Sequence, residues 1–196
     1  MPDLINKSQI KIVNEVFRNP GINLREIIFK TRLSPNYVLK YVNHLVKLGI
    51  LKEEKLEKKR VYLRRFFLNF DSNITRNFFS LVKEEQKEDF FQEYPKLRSV
   101  FNQLIQEIKT LDFILVYGSY ARFASTKNSD IDILIVGNIK NKECIREILI
   151  SLDIEPSIKI ETLNSFEKRK HDALHQQILK DNVLIYDAGR FIKELE

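Results

Sequence analysis

The sequence predicts an α/β (α+β) chain in two modules: a small helical module closed by a charged hairpin, then a mixed sheet flanked by helices. Three observations carry this. Two short, continuous apolar runs, at 113–117 and 131–136, read as strands covered on both faces. Apolar residues at helical spacing mark most of the segment before Gly49. Charge is also split: residues 1–70 hold 15 Lys+Arg against 6 Asp+Glu, and residues 71–196 hold 18 against 21. A net charge of +6 thus conceals a basic first third on a mildly acidic remainder, and a polyanion is the natural partner of the basic part.

Taken in order, Ile10, Val13 and Phe17 mark a first helix, which Asn19-Pro20-Gly21 ends with turn chemistry. Leu24, Ile27 and Ile28 mark a second. Ser34 suits the N-cap of a third, and Pro35 its first turn, where no backbone donor is missed. That helix continues through Val38, Val42 and Leu45 to a stop at Gly49. Ile50–Lys52 and Arg60–Arg64 then read as strands around a charged turn, Glu53–Lys59. Residues 74–110 read as two helical segments parted near Tyr94-Pro95, and the expected division is 1–70, a connector 71–96, and 97–196.

This order of three helices and a charged hairpin resembles a winged helix-turn-helix, down to Leu48-Gly49-Ile50 and Arg60-Val61-Tyr62-Leu63. The third helix leaves Asn36, Tyr37, Lys40, His44 and Lys47 toward solvent, where Asn36 or Lys40 can reach base edges in a major groove. On the wing, Lys55, Lys58, Lys59 and Arg60 would meet phosphates, which position without reading sequence. Double-stranded DNA is the expected partner, and a solvated charge run used for protein contacts or dimerisation is the competing reading.

In the second module the strand at 113–117 ends at Gly118-Ser119, and ten residues later Asp130-Ile131-Asp132 opens the next strand. Gly-Ser, ten residues and Asp-x-Asp resemble the signature of the nucleotidyltransferase superfamily that includes DNA polymerase beta, especially its minimal members. Ala121-Arg122 and Ser129-Asp130 are similar to the family's flanking residues, while Phe123 stands where many members have a second glycine. The resemblance covers about residues 97–187 and implies a nucleotidyltransferase fold.

The chemistry suits those residues. Nucleotidyl transfer expels pyrophosphate, so dense negative charge must be held. Asp130 and Asp132, two apart on a strand, project from one face, while Ile131 and Ile133 enter the core. Two hard oxygen donors side by side suit Mg²⁺. Gly118 permits close backbone approach, Ser119 can offer its hydroxyl to phosphates, and Arg122 can either neutralise phosphate charge or pair with an acidic strand residue.

The resemblance also implies a third carboxylate on a later strand, for which Ile158–Thr162 is the candidate. Lys159 falls at the acidic position in one register and Glu161 in another. With Glu161 there, the site would hold two Mg²⁺ ions; with Lys159 there, an ammonium takes space meant for a metal. His171 and His175, four apart, read as a solvated helical face rather than a metal pair.

The expected substrate is ATP or another NTP, and the expected activity is transfer of AMP to a protein or small-molecule hydroxyl. Some minimal family members modify a HEPN-type toxin, which here would be a separate chain. The competing function is a DNA-binding regulator whose nucleotidyltransferase domain only senses nucleotide or is inactive. A homodimer is compatible with the winged-helix analogy. A single cysteine, apolar runs far shorter than the ~20 residues of a membrane span, and no basic-then-apolar leader pattern point to the cytoplasm and away from a membrane.

Overall fold

The computed structural model describes residues 6–58, 61–150 and 154–195, with Glu57, Lys58 and Val61 described in backbone only. Two compact units divide between Val82 and Lys83.

The first unit begins with α1 (Lys7–Arg18), β1 (Ile22–Asn23), α2 (Leu24–Thr31) and α3 (Pro35–Lys47). Side chains cap the first two helices. Asn6 Oδ1 accepts from Ser8 N–H at 2.9 Å. Asn23 and Glu26 satisfy each other's backbone N–H at 3.1 and 2.9 Å, a reciprocal box at the start of α2. Helix α3 starts on Pro35 as expected, with Ser34 in extended backbone before it, although the Ser34 hydroxyl makes no cap bond. Gly49 takes φ +72 just after the helix, a left-handed turn that favours glycine. Ile12, Val13, Val16, Ile27, Val38, Val42 and Leu45 form the buried faces of the three helices.

The hairpin is longer than its charge pattern suggests. Strands β2 (Leu51–Lys58) and β3 (Val61–Leu68) pair from Leu51↔Leu68 to Lys58↔Val61, so the charged run expected as a turn is mostly strand. Cross-strand attraction explains it: Arg64 grips both oxygens of Glu53 at 2.9 and 2.8 Å. Strand β1 adds a third, short member beside β3. Helix α4 follows, over Asn73–Glu93.

The second unit continues with α5 (Pro95–Glu107), β4 (Leu111–Tyr117), α6 (Gly118–Ala121), β5 (Ile131–Gly137) and α7 (Lys142–Ile150). It closes with β6 (Pro156–Glu161), α8 (Leu163–Arg169), α9 (Ala173–Lys180), β7 (Asn182–Tyr186) and α10 (Ala188–Lys193). The expected mixed sheet is present, in order β6-β5-β4-β7, with β5 and β6 parallel and the other pairs antiparallel. Alternation splits the strands between two cores, which is why they read as continuous apolar runs. Ile114, Val116, Ile131, Ile133 and Ile135 pack against Phe90, Phe101, Leu104 and Ile145. On the other face, Phe113, Leu115, Leu134 and Val136 pack against Phe166, Ile178 and Phe191. No described helix is long and apolar enough to cross a membrane.

Candidate active site

The antiparallel register of β4 and β5 sets Tyr117 opposite Asp132. Gly118, the next residue, adopts φ +70, and a Cβ there would collide with Asp132 Oδ2 and sit 3.2 Å from its Cγ. The carboxylate therefore rests on the bare Gly118 backbone. Any other residue would clash with Asp132 and carry an unfavourable left-handed backbone. Ser119 follows in the single turn α6, where its carbonyl accepts from Ala124 N–H at 3.0 Å. Farther along the loop, Ser129 Oγ accepts from Thr126 N–H at 2.9 Å, which shapes the approach to Asp130.

Asp130 lies just before β5 and is exposed, whereas Asp132 lies within it and is half-buried. Among the described residues neither carboxylate has an ion-pair partner. Arg122, exposed, caps the turn that carries Ser119. Gly118, Ser119, Asp130 and Asp132 are thus gathered at one end of the β4–β5 pair.

Glu161 is not gathered with them. Strand β6 runs parallel to β5 in a register that pairs Asp132 with Ser157, Leu134 with Lys159 and Val136 with Glu161. Glu161 shares the sheet face of Asp132 but lies four residues farther along, about 13 Å at the rise of a strand. It is 6% exposed and already occupied. His175 Nε2 lies 3.1 Å from its Oε2, while Lys159 Nζ and Arg169 reach its Oε1 at 3.1 and 3.4 Å. Burial pushes the Glu161 carboxyl up, but the hydrogen bonds from His175 and Lys159 outweigh it and hold the group below its ordinary range. The expectation that Glu161 completes a three-carboxylate site is corrected on these grounds. Lys159 is drawn to Glu161, and Ser157 is the residue beside Asp132.

His175 is the feature that sequence reasoning missed. Only 1% exposed, it is buried rather than on a solvated face, while His171 lies exposed in the turn before α9. Its place three residues before the buried Ile178 was the available signal. Tyr117 feels both acidic positions: burial, then the charges of Asp132 and Glu161, push its hydroxyl above the ordinary range.

Among the described residues no group of three His, Cys, Asp or Glu side chains could hold a metal ion. The donors do fit an ion held jointly: two carboxylates with no ion-pair partner among the described residues, beside a glycine cradle, leave coordination positions for phosphate oxygens and water.

In the first unit, Asn36, Lys40, His44 and Lys47 are exposed on α3, and Lys55 is exposed on β2. Tyr37 is instead half-buried, its ring packed 4.2 Å from that of Tyr41. Of the expected wing contacts, Lys59, Arg60 and the Lys58 side chain lie outside the described residues. Arg64, clamped by Glu53, also donates to Asn43 on α3 at 2.8 Å, tying the hairpin to that helix.

Residues 96–190 match the family described as polymerase beta, nucleotidyltransferase, and residues 5–52 match winged helix-turn-helix DNA-binding domains. A relative from Methanocaldococcus jannaschii, named "Putative protein adenylyltransferase", is 32% identical over 76 residues, which are 37% of this chain and 76% of the relative. The chain belongs to the polymerase beta-type nucleotidyltransferases and carries a winged helix-turn-helix domain before the nucleotidyltransferase domain.

Proposed function

We propose that Gly118, Ser119, Arg122, Asp130 and Asp132 bind a magnesium-associated nucleoside triphosphate, ATP most simply, and that the domain transfers its AMP to a hydroxyl. The observation that carries this is the seat of the Asp132 carboxylate on Gly118, which joins the two halves of the motif into one anion- and cation-binding corner. In the transfer, the acceptor oxygen bonds to the α-phosphorus, the bond from that phosphorus to the β-phosphate oxygen breaks, and pyrophosphate leaves. The hydroxyl proton passes to solvent. Asp130 and Asp132 orient the ion, Ser119 donates its hydroxyl to the terminal phosphates, and Arg122 balances their charge. Magnesium, when bound, neutralises charge developing on the phosphate oxygens. The acceptor is a small molecule or a separate protein such as a HEPN-type toxin, in the cytoplasm. Within this reading residues 1–70 bind double-stranded DNA through Asn36, Lys40, His44 and Lys47, residues 71–96 connect, and 97–196 carry the chemistry.

The reading is tested with ATP labelled at the α-phosphate and Mg²⁺, using the Asp130→Asn/Asp132→Asn double variant. Loss of nucleotide binding and of label transfer is expected; a double variant that binds ATP like the parent would overturn the assignment.

A second reading, nucleotide sensing without turnover by a DNA-binding regulator, is favoured by one observation. Glu161 is committed to His175, Lys159 and Arg169, leaving two carboxylates where a two-ion site draws on three. ATP binding that alters DNA affinity, with no label transferred, is its expected signature.

A further inference from the structure

We infer that the ring of Phe123 is a stacking platform for the base of the bound nucleotide. Phe123 adopts φ +54, a left-handed backbone that a bulky aromatic residue rarely takes and that glycine takes freely. Packing alone does not account for a phenylalanine here, because half of it remains exposed to solvent. What is buried is well anchored. The ring lies nearly parallel to that of Tyr94, with centroids 6.4 Å apart and planes 17° apart, and it meets Phe90 edge-on at 6.5 Å. Tyr94 is itself fixed, by a 2.8 Å hydrogen bond between its hydroxyl and Ser125 Oγ and by the Tyr120 ring at 4.9 Å.

Two neighbouring rings thus hold the phenyl group while half of the residue stays exposed to solvent. Its backbone is tied to the phosphate-binding turn: Phe123 N–H donates to the Tyr120 carbonyl at 3.1 Å, and Ala124 N–H to that of Ser119 at 3.0 Å. Arg122, the phosphate-neutralising residue of the proposed site, is its immediate neighbour. A rigid, half-exposed aromatic plane about one turn beyond Ser119 is suited to the flat base of a nucleotide whose phosphates lie at Gly118 and Ser119. Stacking accepts any base, so the platform adds affinity for nucleotides over inorganic phosphates rather than choice among bases.

The inference rests on the nucleotide-binding reading above, and two probes separate them. Calorimetry of the full chain with Mg²⁺ compares ATP with inorganic tripolyphosphate, which has phosphates but no base. Phe123→Ala is expected to weaken ATP on the order of tenfold and to leave tripolyphosphate within about twofold, while Phe123→Trp retains ATP binding. Phe123→Gly relieves the backbone, so it should melt no lower than the parent yet lose ATP affinity like the alanine variant. Equal losses for both probes would show that the ring only sets the loop, and unchanged ATP affinity would overturn the platform alone. A parent chain that binds neither probe would overturn the nucleotide-binding reading and the platform with it.

Discussion

His175 and Glu161 form a buried pair, with Nε2 3.1 Å from Oε2 and both side chains almost wholly removed from water. The pair fixes α9 to the end of β6 and so helps cover the sheet face that carries Asp132. Removing one partner of a buried pair strands the other. Glu161→Ala is therefore expected to cost about 3 kcal/mol, at the low end for such pairs because Lys159 and Arg169 retain access to water. Urea unfolding measures it, with His175→Ala as the reciprocal variant.

Glu161 also gives stability a pH dependence. Its carboxyl is held below the ordinary range in the folded chain, so its contribution is complete above the ordinary glutamate value. That contribution is lost as pH falls through the depressed folded value. Melting temperature should fall from pH 6 to pH 3 more steeply in the parent than in Glu161→Gln, and parallel curves would remove the linkage.

Gly118→Ala places a methyl group against the Asp132 carboxylate on a backbone already at φ +70. The expected stability loss is about 1–3 kcal/mol, the range for strain of this kind. ATP affinity should drop at least as far as in Asp132→Asn, because the substitution displaces that carboxylate. Calorimetry and urea unfolding on the same preparation check both.

Ser157 is exposed and pairs with Asp132 across the parallel strands, on the same face of the sheet. Ser157→Asp would place a third carboxylate level with the two already there. Affinity for Mg²⁺ in the absence of nucleotide should rise several-fold, since ligand charge count sets the strength of such sites. No gain would mean that the strand edge cannot deliver the group.

The winged helix makes a separate prediction. Lys55 is an exposed wing cation expected to meet phosphates, and Lys47 is an exposed cation on the solvent face of α3. Alanine at either should weaken binding to duplexes of unrelated sequence by similar factors and reduce the slope of log affinity against log salt by about one. Asn36→Ala should instead flatten the preference among sequences, as read by fluorescence anisotropy over a set of duplexes.

The outcome separates what residue order encodes from what tertiary register decides. Helix α3 and strands β4 and β5 were legible because their apolar periodicity, Pro35 and Gly49 are local signals. The motif was legible because its spacing survives intact. Strand β2 is legible only over its first residues, since charges that pair across a hairpin look like a turn in one dimension. The alternation of β6 correctly put Lys159 and Glu161 on one face, but how far along β5 each falls depends on the pairing of two distant strands. His175 gave a weak signal because one buried polar residue on a short helix is also compatible with a wet face.

Strand β7 lies beside β4 although the whole of α6, β5, α7, β6, α8 and α9 is made between them. During synthesis the motif-bearing strands can pair as neighbours long before β7 leaves the ribosome. Until it does, β4 presents an apolar strand with one unsatisfied edge, the kind of surface on which nascent chains aggregate or recruit chaperones. A nonsense or frameshift lesion between Gly137 and Asn182 would therefore leave the Gly118–Asp132 corner encoded but borne on a sticky, incomplete sheet. Loss of solubility, more than loss of chemistry, is what such an allele would reveal.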